Sequence, residues 1–108
     1  MKYVSTRAGS EDAAPAKRFS EILLEGLAPD GGLYVPEALP PVDLSALRGK
    51  SYPELAHAIL SHFMDDVPDL AGILGRTYTR EKYRSDEITP LKTLEPGLHL
   101  LGLSNGPT

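Results

Sequence analysis

The chain has no cysteine, which excludes a disulfide framework and every thiolate metal site and fits a reducing, cytoplasmic setting. It has no apolar run approaching the ~20 residues of a membrane span, and MKYVSTRAGSED at its start carries no apolar stretch of signal-peptide type. A soluble, intracellular protein is therefore expected. It also lacks a basic excess: 11 Lys and Arg against 15 Asp and Glu leave a net charge of −4. Non-specific attraction to nucleic acid or to an anionic membrane is disfavoured on that balance. No internal repeat and no low-complexity tract is present.

At 108 residues, with 41% apolar and 24% charged side chains, there is enough material for one modest core but not for two domains. Ten prolines and ten glycines divide the chain into short pieces. Lys2–Thr6 suits a short strand, and Arg7–Ala16, without large apolar side chains, suits a surface loop. Phe19, Ile22, Leu23 and Leu27 recur at helical spacing, predicting a helix over 18–26 that ends at Gly26 and Pro29. Asp30-Gly31-Gly32 then turns the chain. A phosphate cradle there is disfavoured, because such loops lead from a strand into a helix and here the order is reversed. Leu33–Val35 reads as an extended segment entering the stiff ALPPVD stretch, and Asp43 or Ser45 starts a helical turn through Leu47.

Ser51 and Glu54 stand at capping-box spacing and Pro53 falls in the first turn, so a helix is predicted over Tyr52–Met64. Its apolar rows, Leu55, Ile59 and Phe63 beside Ala56 and Leu60, make it the expected centre of the core. A further helix over Asp69–Arg76 rests on Leu70, Ile73 and Leu74 and is weakened by Gly72 and Gly75, at about 1 kcal/mol each. Thr77–Glu87 is charged and expected to lie exposed, with at most one short helical turn. Two apolar segments, Pro90–Leu94 and Leu98–Leu103, flank Pro96-Gly97, a pair that fits the centre of a type II turn. The fold class expected from these elements is α+β, mostly helical with a few short strands.

Chemistry is sparse. His57 and His62, five apart, face different sides of a helix, His99 is remote, and no HExxH pattern exists, so no metal site is expected. Asp65 and Asp66 are expected to point apart into water rather than to act as paired acid and base. The tyrosines and basic residues of Thr77–Glu87 are neutralised by Glu81, Asp86 and Glu87. Residue spacing alone supports no complete active site.

Five stretches in chain order carry more: YVSTR (Tyr3–Arg7), EGLAPDGGLYVP (Glu25–Pro36), RGKSYPELAHAIL (Arg48–Leu60), RSDEITPL (Arg84–Leu91) and LGLSNGPT (Leu101–Thr108). Together this set resembles the N-terminal region of the bacterial-type threonine synthase family, pyridoxal-phosphate enzymes acting on O-phosphohomoserine. The final stretch is similar to the family's HGPT-x-AFKD motif, whose lysine carries the cofactor, with Asn105 where the family has His. The resemblance implies an N-terminal domain over 1–103 and, over 104–108, the start of the active-site motif leading into a catalytic domain. It implies a Schiff-base lysine beyond Thr108, no cofactor and no turnover in this segment by itself, and the remaining catalytic domains of the same chain as partner. Ser104, Asn105 and Thr108 are implied near cofactor or substrate, and Arg7 is a natural clamp for a phosphate-bearing substrate. Leu98–Leu103 is expected to be a strand or strand-like segment pointing out of the domain with apolar surface left uncovered. The competing expectation is a stand-alone binding module without catalysis.

Overall fold

The computed structural model describes residues 1–9 and 14–106. The elements in order are β1 (Tyr3–Ser5), α1 (Phe19–Glu25), β2 (Tyr34–Pro36), α2 (Leu44–Leu47), α3 (Tyr52–Leu60), α4 (Leu70–Thr77), α5 (Arg80–Tyr83), β3 (Leu91–Glu95) and β4 (Leu98–Leu101). This is the expected α+β domain, its strands forming two separate antiparallel pairs, β1 with β2 and β3 with β4. In the first pair Tyr3 stands opposite Pro36 and Ser5 opposite Tyr34. On its other side Tyr3 exchanges both backbone hydrogen bonds with Lys17, at 2.8 and 2.9 Å, so β1 is held from two directions.

The helix starts follow local chemistry. The Ser51 backbone N–H donates to Glu54 Oε2 at 2.8 Å at the head of α3, and the Arg18 N–H donates likewise to Glu21 at 2.7 Å before α1. Asp43 caps α2 by accepting from Ser45 N at 2.9 Å. α3 stops at Leu60, four residues short of the predicted end, because the chain tightens: His62 N donates to Ile59 O and Phe63 N to Leu60 O, both three-residue bonds.

The core is displaced from its expected centre. The buried apolar side chains are Tyr3, Ala28, Leu70, Leu74 and Ile88, so α4 supplies the most, while α3 contains no fully buried residue. Leu55, Ala56, Ile59 and Leu60 instead line an open groove of about 270 Å³ with Tyr52 and Tyr78. α1 departs in the same sense, with Leu23 62% and Leu24 91% exposed. Phe19, at its start, packs against the Tyr3 ring, with centroids 6.0 Å apart.

The two glycines of α4 differ in cause. A Cβ on Gly72 would stand 2.4 Å from Asp69 Oδ2, whereas one on Gly75 would meet nothing within 4 Å. Gly75→Ala therefore stabilises the fold by about 1 kcal/mol through helix propensity and a less flexible unfolded chain. Urea unfolding is expected to show that gain for Gly75→Ala and a smaller one for Gly72→Ala, whose Cβ requires the exposed Asp69 carboxylate to turn aside.

Candidate functional site

The residues singled out by resemblance fall in two places. Arg7 follows β1 and belongs to a polar knot around Asp30. Ser5, only 2% exposed, donates through Oγ to Asp30 Oδ1 at 2.8 Å and accepts from Arg7 N at 3.1 Å. The same carboxylate accepts from Ala14 N at 2.9 Å and Gly32 N at 2.8 Å. The backbone N–H of Ala14, then that of Gly32, then the Ser5 hydroxyl hold the Asp30 carboxyl below the usual carboxylate range. Arg7 reaches back with Nη1 to the Asp30 carbonyl oxygen at 2.7 Å, which fixes one edge of an otherwise exposed guanidinium. The YVSTR and DGG stretches, far apart in the chain, thus make one structure: Thr6 N donates to Leu33 O at 2.8 Å and Thr6 Oγ1 accepts from Leu33 N at 3.0 Å.

Ser104 and Asn105 lie beyond β4, and Thr108 lies outside the described residues. The β3–β4 hairpin delivers them. Leu91 opposes Leu101, Lys92 opposes Leu100 and Thr93 opposes His99, with a bulge between Thr93 and Glu95. Gly97 takes φ 82° at the turn, the positive value a type II turn requires of its third residue. Every residue of both strands is exposed: Leu91 and Leu101 on one face are 62% and 52% exposed, Leu98 and Leu100 on the other 48% and 55%. After Leu101, Gly102 N donates to Pro90 O at 2.8 Å, and the backbone of Gly106 passes the Tyr83 ring, where an added Cβ would stand 3.6 Å from Cε1. Among the described residues no hydrogen bond or ion pair joins Arg7 to Ser104 or Asn105: Arg7 is held in the Asp30 knot, while Ser104 and Asn105, adjacent in sequence, follow the hairpin.

Two features escaped the sequence. Asp66 does not point into water; its side chain is 8% exposed and accepts from Ser20 N at 3.1 Å and Ser20 Oγ at 2.5 Å. Arg18 Nε approaches it at 3.6 Å, and Arg18 Nη2 lies 3.8 Å from Asp65. The Ser20 hydroxyl first of all holds Asp66 below the usual range, and the Met1 amine does so for Asp65. Both stay ionised at neutral pH and pin α1 to the segment after α3, which is structural work. Asp30 is the second feature; an Asp before two glycines was its only sequence signal.

Residues 2–78 match the family model described as the threonine synthase N terminus. The chain belongs to the threonine synthase family. It is 51% identical to the threonine synthase of Methylobacillus glycogenes, across all of this chain and 24% of that protein. It is 44% identical to that of Corynebacterium glutamicum, again across all of this chain and 24% of the relative. Among solved structures, a PLP-bound threonine synthase from Brucella melitensis superposes with a TM-score of 0.80 at 42% identity, covering 99% of this chain and 23% of that one. The chain thus spans about a quarter of the length of the threonine synthases it matches. Among the described residues no helix is long and apolar enough to cross a membrane.

Proposed function

We propose that this chain serves as the N-terminal domain of a threonine synthase, an enzyme converting O-phospho-L-homoserine and water to L-threonine and phosphate in threonine biosynthesis. In this reading it packs against the catalytic domains of its own polypeptide and forms one wall of the active-site entrance. The observation that carries the reading is the β3–β4 hairpin, apolar and exposed on both faces, which runs directly into Ser104, Asn105 and Gly106. A two-stranded hairpin is at best marginal in water, and one with leucines on both faces suits insertion between other elements. The Brucella relative, a PLP-bound threonine synthase, supports pyridoxal phosphate as the enzyme's cofactor.

When bound, that cofactor would supply an electron sink for proton removal beside the amino group. The residues of this chain fit it poorly, because linkage needs a lysine amine of lowered pKa in a dry pocket. Lys17 is raised instead, chiefly by its hydrogen bond to Glu25, and Lys2, Lys50, Lys82 and Lys92 are exposed to water. The linkage is therefore assigned to the larger catalytic part, and the 108 residues by themselves are expected to be inactive. Ser104, Asn105 and Thr108 border substrate or cofactor, offering hydroxyl and amide groups; Asn105, an amide, hydrogen-bonds without titrating. Arg7, held through Nη1 by the Asp30 carbonyl, offers the rest of its guanidinium to the substrate phosphate.

The test is borohydride reduction with pyridoxal phosphate followed by intact mass, on this chain and on the full-length protein, alongside release of threonine and phosphate from O-phosphohomoserine. One adduct and turnover in the full-length protein, with neither in the 108 residues, is the expected result. A single stoichiometric adduct on one of the five lysines here would overturn the assignment.

A further inference from the structure

The chain at Gly106 comes close to the end of a row of three aromatic rings. Tyr52 is the first residue of α3, Tyr78 follows α4 and Tyr83 closes α5. The Tyr52 and Tyr78 ring centroids are 4.9 Å apart at 67°, and those of Tyr78 and Tyr83 are 5.8 Å apart at 40°, both within the favourable range for offset or edge contacts. Tyr83 is fixed along its backbone as well. Its N–H donates to Thr79 O at 3.0 Å, and Thr79 Oγ1 caps the same turn by accepting from Lys82 N at 3.3 Å. At the far end of the row the Gly106 backbone, with φ 145°, passes near the Tyr83 ring, where an added Cβ would stand 3.6 Å from Cε1. That backbone region is one L side chains rarely adopt, so the path taken beside the ring is one that glycine permits.

We infer that Tyr83 is a positioning residue for the active-site segment: its ring is the surface that sets the path of Ser104–Gly106, and Tyr78 and Tyr52 brace that ring against α3. The role belongs to the ring, not to the hydroxyl. A rigid side chain with two torsions holds the segment at low entropic cost, and the bracing connects the helical body to a loop that has otherwise left it through the exposed hairpin. The consequence for substrate binding rests on the proposed threonine synthase function; the consequence for the segment's order does not.

The test compares Tyr83→Leu with Tyr83→Phe in the full-length protein, using hydrogen exchange of the peptide covering residues 103–106, KM and kcat for O-phosphohomoserine, and Tm. Tyr83→Leu is expected to speed exchange of that peptide about tenfold or more. It should raise KM about tenfold with kcat within about twofold of the parent, as when a misplaced segment weakens binding equally in the ground and transition states. Tyr83→Phe keeps the ring and should match the parent in exchange and KM. A Tyr83→Leu protein with unchanged exchange over 103–106 overturns the inference, even if its Tm falls, because only a general packing role then remains. A Tyr83→Phe protein as impaired as Tyr83→Leu overturns it too, by placing the effect in the hydroxyl. Should the parent release no threonine, the proposed function fails, and the exchange comparison still decides whether Tyr83 orders the segment.

Discussion

Gly32→Ala is expected to be the most damaging single-methyl change in this domain, lowering the unfolding free energy by about 2–5 kcal/mol. A Cβ at that position would stand 2.1 Å from Ser5 Oγ, 3.0 Å from Asp30 Oδ1 and 3.1 Å from Thr6 Oγ1. The first of these distances is impossible, so Ser5 must move, yet Ser5 is 2% exposed and has no solvent to turn toward. Overpacking of this kind costs about 1–3 kcal/mol, and a buried hydroxyl parted from its carboxylate about as much again. Breaking the Ser5–Asp30 bond also loosens the turn whose carbonyl holds Arg7. Urea unfolding of Gly32→Ala, Ser5→Ala and the double variant separates the causes. If the clash with Oγ dominates, the double variant is clearly more stable than the sum of the two single losses predicts. A Gly32→Ala midpoint within error of the parent would mean that β1 and the DGG turn are not packed as described.

That contact also marks the limit of what the sequence could reveal. The DGG turn was legible as a turn because glycines follow a helix end, but the need for Gly32 comes from Ser5, which is distant in the chain, and no local pattern carries it. α4 and the hairpin were legible because their signals are local: Leu70 and Leu74 at helical spacing, and Pro96-Gly97 between two apolar runs. The roles of α1 and α3 differ from expectation for one physical reason. Periodicity tells which face of a helix seeks burial and is silent on what buries it, so the apolar rows of α1 and α3 are surface and groove within this chain. Asp66 differs because its partners, Ser20 and Arg18, come from α1 and its cap. The site residues themselves came from resemblance, since spacing supplied neither a nucleophile nor a base.

Exposure of both hairpin faces leads to the second large effect. Leu98→Asp combined with Leu101→Asp places one charge on each face of the β3–β4 hairpin. Both leucines are about half exposed, 48% and 52%, and β3 and β4 make their main contacts with each other, so the domain's own stability should change by only about 1 kcal/mol. Docking against catalytic domains is another matter. Burying the remaining leucine surface contributes about 1–1.5 kcal/mol for each side chain, and forcing a carboxylate into the same place costs several kcal/mol more unless it finds a partner. The combined loss corresponds to at least about a hundredfold in affinity. The measurement is the Kd between this chain and the catalytic part expressed separately, with urea unfolding of the chain as the control for folding. Leu39→Asp, at a side chain 80% exposed in the proline-rich segment, should leave that Kd unchanged. A double variant that unfolds at the parent's midpoint and still binds at the parent's Kd would move the docking face away from the hairpin. The exposed leucines of α1 would then be the surface to test, since they are another place where this chain leaves apolar side chains in water.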